Sequence, residues 1–139
     1  MQGDRRASRA MGRVVCAPTV LVVDDDPAIR TMVRRMLARV PCTVAEACDG
    51  DEALAHIRQE PPQLILLDIV MPRLDGWAVL RTLQAEGFTP DLPVVLISGN
   101  VVLDDAAARE LGAAAVLPKP FQLTAVRALV QELLALPAP

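Results

Sequence analysis

The sequence predicts a doubly wound α/β domain in which five parallel strands alternate with five helices. Two observations predict this class. First, several short runs are apolar at every position, as expected for strands that are buried on both faces of a parallel sheet. Second, the segments between these runs carry apolar residues at helical spacing. This alternation along the chain indicates βα units and a parallel sheet, for which the strand order is 2-1-3-4-5. At 139 residues the chain is long enough for one such domain.

The first strand is predicted at Thr19–Val23 and the first helix directly after it. Asp26 and Pro27 mark the start of this helix, because an acid is a favourable N-cap and proline fits the first helical position. Pro41 is predicted to end it. One face of the helix carries the apolar residues Ile29, Met32, Val33, Met36, Leu37 and Val40.

The second strand, Thr43–Ala47, and the third strand, Leu64–Leu67, enclose a short second helix. This helix is predicted over residues 51–59, because an Asp-Gly turn precedes it and a pair of prolines follows it. The first three strands therefore fit within the first half of the chain.

The second half of the chain continues the alternation. A loop over residues 71–76 leads to a third helix, which Gly87 terminates. The fourth strand, Val94–Ile97, is followed by a fourth helix around residues 104–111, whose first turn carries acids that the helix dipole favours. The fifth strand is predicted at Ala114–Leu117. The last helix is lined by Val126, Leu129, Val130, Leu133 and Leu134.

The predicted domain covers residues 18–136. Residues 1–17 lack a periodic apolar pattern and are expected to form a disordered basic leader, within which Met11 is a second candidate start. Residues 137–139 are expected to be a C-terminal tail or the start of a linker.

Charge and cysteine content exclude several classes of protein. The formal net charge is −3 although the leader is basic, so the body of the chain is acidic and direct nucleic-acid binding is not expected. No apolar run is long enough for a membrane span, and no signal-peptide pattern occurs. Three cysteines are too few for a disulfide framework or a zinc site and are expected to be buried free thiols, which favours the cytoplasm; they are Cys16, Cys42 and Cys48.

Polar residues stand at the carboxyl ends of four predicted strands. Asp24 and Asp25 follow the first strand, and Asp68 follows the third. Ser98 follows the fourth strand, and Lys119, the one lysine of the chain, follows the fifth. In an open parallel sheet the carboxyl ends of the strands form the ligand-binding crevice, so these side chains are predicted to converge there.

The residue types at this edge favour phosphoryl chemistry with a divalent cation. Carboxylates close together repel one another, and Mg²⁺, which takes oxygen ligands and keeps several waters, would offset that repulsion. Asp68 is the candidate nucleophile, because a carboxylate can form an acyl phosphate. Mg²⁺ would bridge Asp68 and the phosphoryl oxygens, Lys119 would contact another oxygen as a point charge, and Ser98 would donate a hydrogen bond to the third.

Four segments together resemble the CheY-like receiver domain of two-component response regulators. They are Val-Val-Asp-Asp-Asp-Pro at 22–27, Leu-Asp-Ile-Val-Met-Pro-Arg-Leu-Asp-Gly at 67–76, Ile-Ser-Gly at 97–99 and Pro-Lys-Pro-Phe at 118–121. The resemblance covers essentially residues 18–136. It implies a flavodoxin-like fold and a phosphorelay signalling role in which a partner phosphohistidine is the donor.

The resemblance also implies residue roles. Asp68 would be the phosphoacceptor, and Mg²⁺ would be held by Asp25, Asp68 and the backbone carbonyl of Val70. Asp24 would orient a metal-bound water. Ser98 and Lys119 would be the switch hydroxyl and the phosphate contact, with a cis peptide bond between Lys119 and Pro120.

The partners implied are a histidine kinase or phosphotransfer protein and a downstream target or attached output domain. The output would be contacted through the fourth helix, fifth strand and last helix, and the domain would be a monomer or a weak phosphorylation-dependent dimer. It would be no enzyme beyond catalysing its own phosphorylation and dephosphorylation. His56, the one histidine, is predicted to be a surface residue away from the site, so this domain receives the phosphoryl group.

Three residues are departures or open cases within the site and its switch. Val116 occupies the fifth-strand position at which the family often has a switching aromatic. Val70, two residues after the acceptor, has no polar group to orient hydrolytic water, which predicts slow self-dephosphorylation. Gly99 either widens access to the phosphate or serves the backbone of its loop.

Three alternatives of other classes are disfavoured by particular sequence features. A Mg²⁺-dependent phosphohydrolase with an aspartyl nucleophile would be expected to carry a second acid where Val70 stands. A non-phosphorylated interaction scaffold would not need the intact acid pair together with Asp68 and Lys119. A dinucleotide-binding domain is disfavoured because no G-x-G-x-x-G follows the first strand.

Overall fold

In the computed structural model, which describes residues 17–99 and 105–135, five parallel strands form one sheet. Their order is β2-β1-β3-β4-β5, as predicted. Because the first strand lies between the second and third, the chain winds in both directions from it, which confirms the doubly wound class. The strands are β1 Thr19–Val23, β2 Thr43–Ala47, β3 Leu64–Asp68, β4 Val94–Ser98 and β5 Ala115–Pro118.

Helices cover both faces of the sheet. They are α1 Pro27–Met36, α2 Gly50–Gln59, α3 Gly76–Ala85, α4 Asp105–Glu110 and α5 Leu123–Leu133. Buried residues of α2, α3 and α4 pack with Leu21 and Val23 on one face, whereas those of α1 and α5 pack with Val20 and Val22 on the other. Successive residues of a strand point to opposite faces, so a strand covered on both sides must be apolar throughout.

The strand register aligns the carboxyl ends at one edge of the sheet. Val23 pairs with Leu67, and Ser98 pairs with Pro118. Asp68 closes β3 and pairs with Ile97 on β4. Residues just after these positions therefore emerge at the same edge, which is where the functional side chains were predicted.

Side chains cap the starts of two helices, and the sequence predicted the first of these caps. The Asp26 carboxylate accepts a hydrogen bond from the Ala28 amide at 2.9 Å, and Asp75 accepts from the Ala78 amide at 2.9 Å. Both satisfy an amide that has no partner within its own helix. Gly87 and Gly112, at φ of 83° and 94°, follow α3 and α4, and Gly87 confirms the predicted end of the third helix.

The predicted end of the first helix at Pro41 is wrong by one turn. Regular helix stops at Met36, and the chain then makes tighter turns in which the Val40 amide donates to the Leu37 carbonyl at 3.0 Å. The residue before a proline is disfavoured in the helical conformation, so the helix cannot reach Pro41. Leu37 and Val40 are buried nevertheless.

Two predictions of burial need correction. Cys48 is exposed and Cys42 is partly exposed, because both flank β2, the edge strand of the sheet. His56 is only partly at the surface, and its Nδ1 atom is buried. It lies three positions after the buried Ala53 on α2 and so borders the packed side of that helix.

Several predictions concern parts of the chain outside the described residues. These parts are residues 1–16, which include Cys16, residues 100–104 and residues 136–139. Within residues 17–99 and 105–135, no helix combines the length and apolar character needed to cross a bilayer.

Candidate functional site

Asp24 is held from several sides at the end of β1. Its amide donates to the Ala47 carbonyl of the neighbouring strand at 3.2 Å. One carboxylate oxygen accepts from the Asp26 amide at 2.9 Å, and the other lies 3.3 Å from Lys119 Nζ. Only 1% of the residue is exposed, so its carboxylate has little freedom to reorient.

Asp24, Asp25 and Asp68 form an acid cluster that suits a hard cation. One carboxylate oxygen from each lies within 4.8 Å of the others, and Asp25 is exposed. Three carboxylates at this spacing repel one another, and Mg²⁺ prefers such oxygen ligands while keeping waters on its open side. The donor set present therefore fits Mg²⁺.

Asp68 is 4% exposed, and its environment raises the pKa of its carboxyl. Burial is the main cause, and the neighbouring Asp24 adds to it. Lys119, with Nζ 3.5 Å from Asp68 Oδ1, and the Val70 backbone amide act in the opposite direction. Both would favour the ionised carboxylate that a nucleophile requires.

Lys119 follows β5 and reaches back across the sheet edge to the acids. Its amide donates to the Ser98 carbonyl at 2.6 Å, which fixes the backbone beside β4. Burial disfavours its charge, but Asp68 and Asp24 outweigh this effect and raise the pKa of the ammonium. The peptide bond to Pro120 is cis, and the next residue, Phe121, is buried in the core.

A cavity of about 540 Å³ opens over the acid cluster. It brings together every predicted site residue except Ser98, which is buried at the end of β4 and contacts Lys119 through its backbone. The lining residues are Asp24, Asp25, Asp26, Ile29, Asp68, Val70, Gly99 and Lys119.

Gly99 faces this cavity without a conformational need for glycine. Its φ is not in the left-handed region, and an added Cβ would meet only Lys119 Cδ, at 3.8 Å. Of the two explanations for this glycine, the structure therefore favours open access over a requirement of the loop backbone.

An apolar cavity of about 460 Å³ adjoins the acidic one and shares Ile29, Gly99 and Lys119 with it. Met32 and Phe121 contribute further apolar surface. The acidic site thus has an apolar margin on the side formed by α1 and the chain after β5.

Sequence reasoning missed Arg30. Its Nη1 donates to the Asp24 carbonyl at 2.5 Å, and its Nε donates to Glu46 at 2.9 Å. The chain has thirteen arginines, and only the register of β1 with β2 reveals which of them lies beside the acids.

Known proteins resemble both the sequence and the fold. Residues 20–131 match the family model of the response regulator receiver domain. Response regulator MprA of Mycobacterium ulcerans is 44% identical over 116 residues, which are 83% of this chain and 49% of that protein. MprA of Mycolicibacterium vanbaalenii is 43% identical over 116 residues, which again are 83% of this chain and 49% of that protein. The chain spans about half the length of these curated relatives.

Solved structures of the same kind superpose closely. The receiver domain of NtrX from Brucella abortus has a TM-score of 0.75 at 35% identity, covering 84% of this chain and 98% of that one. The chemotaxis protein CheY4 of Vibrio cholerae has a TM-score of 0.76 at 27% identity, covering 86% and 99%.

Proposed function

The chain belongs to the response regulator receiver domain family of two-component signalling, and from this membership we propose that it accepts a phosphoryl group on Asp68. The donor is a phosphohistidine on a histidine kinase or phosphotransfer protein, and Mg²⁺ is the required cation. The protein operates in the cytoplasm and acts on no substrate other than its own phosphoacceptor.

The observation that carries this proposal is the placement of Asp68 between two acids and a lysine. Lys119 Nζ lies 3.3 Å from Asp24 and 3.5 Å from Asp68, at the floor of an open cavity. A phosphoryl group entering there meets a nucleophilic carboxylate and a cationic side chain positioned for its oxygens. Phosphoryl transfer asks little more of a protein than this positioning and charge stabilisation.

The transfer itself is a substitution at phosphorus. An Asp68 carboxylate oxygen forms a bond to phosphorus while the bond to the donor histidine nitrogen breaks, and that nitrogen keeps the electron pair. Lys119 stabilises charge on one phosphoryl oxygen, and the Ser98 hydroxyl donates to another. Asp25, Asp68 and the Val70 carbonyl would hold Mg²⁺, with Asp24 acting through a water, and the ion would supply neutralising charge.

Phosphorylation then changes a protein-interaction surface. The new group adds about −1.5 to −2 charges and three acceptor oxygens, towards which Ser98 moves. This movement shifts the face formed by α4, β5 and α5 towards an active conformation. A downstream protein or an attached output domain recognises that face, as the greater length of the MprA relatives suggests.

Intact mass spectrometry tests the proposal directly. Wild type and Asp68→Asn are incubated with acetyl phosphate, each with Mg²⁺ and with chelator. We expect a gain of one phosphoryl group only in wild type with Mg²⁺. Equal labelling of Asp68→Asn, or labelling that persists in chelator, would reject the assigned acceptor or the metal requirement. No labelling from acetyl phosphate or from a panel of phosphorylated histidine kinases would favour the scaffold function.

A further inference from the structure

Arg30 contacts the peptide that joins two acids of the cluster. This arginine lies on α1, one turn after the cap residue Asp26, and its side chain is only 16% exposed. Its Nη1 donates to the carbonyl oxygen of Asp24, which belongs to the peptide between Asp24 and Asp25. A charged donor on a backbone carbonyl is among the stronger hydrogen bonds of a protein.

Asp25 depends on that peptide more than its neighbour does. The Asp24 carboxylate already has the Asp26 amide and Lys119 as partners, whereas Asp25 is exposed. The direction in which the Asp25 side chain leaves the backbone is therefore set largely by the peptide plane before it. Arg30 fixes that plane.

Glu46 in turn holds Arg30 in place. It lies on β2, paired in register with Val22, and accepts from Arg30 Nε at 2.9 Å. Its second oxygen accepts a hydrogen bond from Arg34 at 2.7 Å. The contact with Arg34 is the main cause that lowers the pKa of the Glu46 carboxyl, and the contact with Arg30 adds to it. The guanidinium of Arg30 is thus directed at a carbonyl while its charge is balanced by a carboxylate outside the acid cluster.

We propose that Arg30, held by Glu46, is a positioning residue for the divalent cation: it orients the Asp24–Asp25 peptide so that Asp25 faces the metal site. This inference rests on the proposed Mg²⁺ site and adds a supporting layer to it. Residues that support metal ligands commonly have a large effect on metal affinity, although they do not contact the ion themselves.

Charge alone makes the opposite prediction. Removing a cation next to an acid cluster strengthens the attraction of that cluster for Mg²⁺. Loss of positioning weakens binding, because Asp25 must then be ordered by the metal itself. The sign of the change in Mg²⁺ affinity therefore separates the two effects.

The test is calorimetric titration of the full chain with Mg²⁺, without a phosphodonor. We expect Arg30→Met to raise the Mg²⁺ dissociation constant by about 10-fold or more. This is within the range for the loss of a contact that supports a metal ligand. Arg34→Met is the matched control: Arg34 lies on the same helix and binds the same Glu46, but its backbone contact is to Val44 rather than Asp24. We expect a change below about 2-fold for this control, which loses an exposed ion pair and a hydrogen bond to the Val44 carbonyl but no contact with the acid cluster.

Glu46→Gln provides a second, independent arm. It should weaken Mg²⁺ binding in wild type but have no further effect in the Arg30→Met background, because Glu46 acts through Arg30. Metal-free melting curves of all variants, recorded in chelator, separate global destabilisation from a local effect at the site.

Three results would overturn this inference but leave the proposed metal site intact. They are an unchanged or lower Mg²⁺ dissociation constant for Arg30→Met, an equal rise in the constant for Arg34→Met, or an effect of Glu46→Gln that persists in the Arg30→Met background. Absence of Mg²⁺ binding by wild type would overturn the proposed metal site together with it.

Discussion

At the scale of single residues, the site combines two buried acids with one exposed apolar neighbour. Asp24 and Asp68 are nearly buried and tied by hydrogen bonds or ion pairs, whereas the Val70 side chain is 60% exposed at the cavity mouth. An exposed apolar side chain beside the acceptor neither donates to nor accepts from a water approaching the acyl phosphate. The stability of the phosphorylated form should therefore depend on this position.

Val70→Asn should shorten the lifetime of the acyl phosphate. A carboxamide at the cavity mouth can orient the attacking water through a hydrogen bond, and one such bond of about 1 kcal/mol corresponds to roughly 5-fold in rate. The lifetime is measured by intact mass after removal of the phosphodonor. Val70→Ala is the control, because it enlarges the opening without adding a polar group. An unchanged lifetime in Val70→Asn, or equal acceleration in both variants, would contradict the role of water orientation.

At the scale of elements, the start of α3 is packed directly against the end of β3. The Gly76 amide donates to the Ile69 carbonyl at 2.8 Å. A Cβ at Gly76 would stand 2.5 Å from the Asp68 carbonyl oxygen and 2.7 Å from Ile69 Cα. The helix can therefore approach the acceptor strand this closely only because residue 76 has no side chain.

Gly76→Ala should lower both stability and the rate of phosphorylation. Alanine normally favours a helix over glycine, but backbone atoms at these distances cannot yield without displacing Asp68, and overpacking of this kind costs about 1–3 kcal/mol. Denaturant unfolding and the rate of acetyl phosphate labelling are the two measurements.

Gly99→Ala is the matched control for stability, since its new Cβ meets nothing closer than 3.8 Å. Its free energy of unfolding should stay within about 0.5 kcal/mol of wild type, as is usual for substitutions that disturb no packing. If Gly76→Ala were as stable as Gly99→Ala, the close packing of α3 on β3 would not constrain the acceptor.

The sequence predicted the order of the elements and the starts of the first three helices well, because local signals determine both. Alternating periodicities define the strands and helices, and Asp-Pro or Asp-Gly pairs mark where helices begin. The C-terminal end of α1 was harder to predict, because its apolar spacing continues to Val40 although the helix ends at Met36. Exposure of Cys48 also escaped prediction, since it depends on β2 being the edge strand.

The convergence of Asp24, Asp25, Asp68 and Lys119 was likewise predictable, because it follows from parallel strands ending at one edge. The contacts of Arg30 were not, because they depend on the direction of one long side chain and on the register between β1 and β2. Helical spacing places Arg30 on α1 but does not indicate whether its guanidinium turns to solvent, to Glu46 or to the backbone of the site.

At the scale of the whole molecule, the proposed output face adjoins the site through β4 and β5. Val116 is half-buried, pairs with Leu96 and packs against the core that α2, α3 and α4 share. Valine has no ring that could swing between an inward and an outward position. The signal should therefore reach α4, β5 and α5 through movement of Ser98 and the backbone beside it.

Nuclear magnetic resonance of the uniformly labelled domain tests this route. Phosphorylation, or a beryllofluoride mimic, should shift backbone signals of α4, β5 and α5 as well as those around the acid cluster. Asp68→Asn treated in the same way is the control and should show neither set of changes. Shifts confined to the acid cluster, with that face unaltered, would reject the proposed output surface.

The ion pair between Lys119 and Asp24 joins residues 95 positions apart, near the two ends of the described chain. Every strand between them contributes to the sheet edge that brings these side chains together. A nascent polypeptide on the ribosome therefore lacks the complete group of acids and lysine until its fifth strand has been synthesised and docked. On the proposed function, competence to receive a phosphoryl group would therefore arrive together with completion of the fold, and truncated or half-folded copies would be silent rather than falsely active.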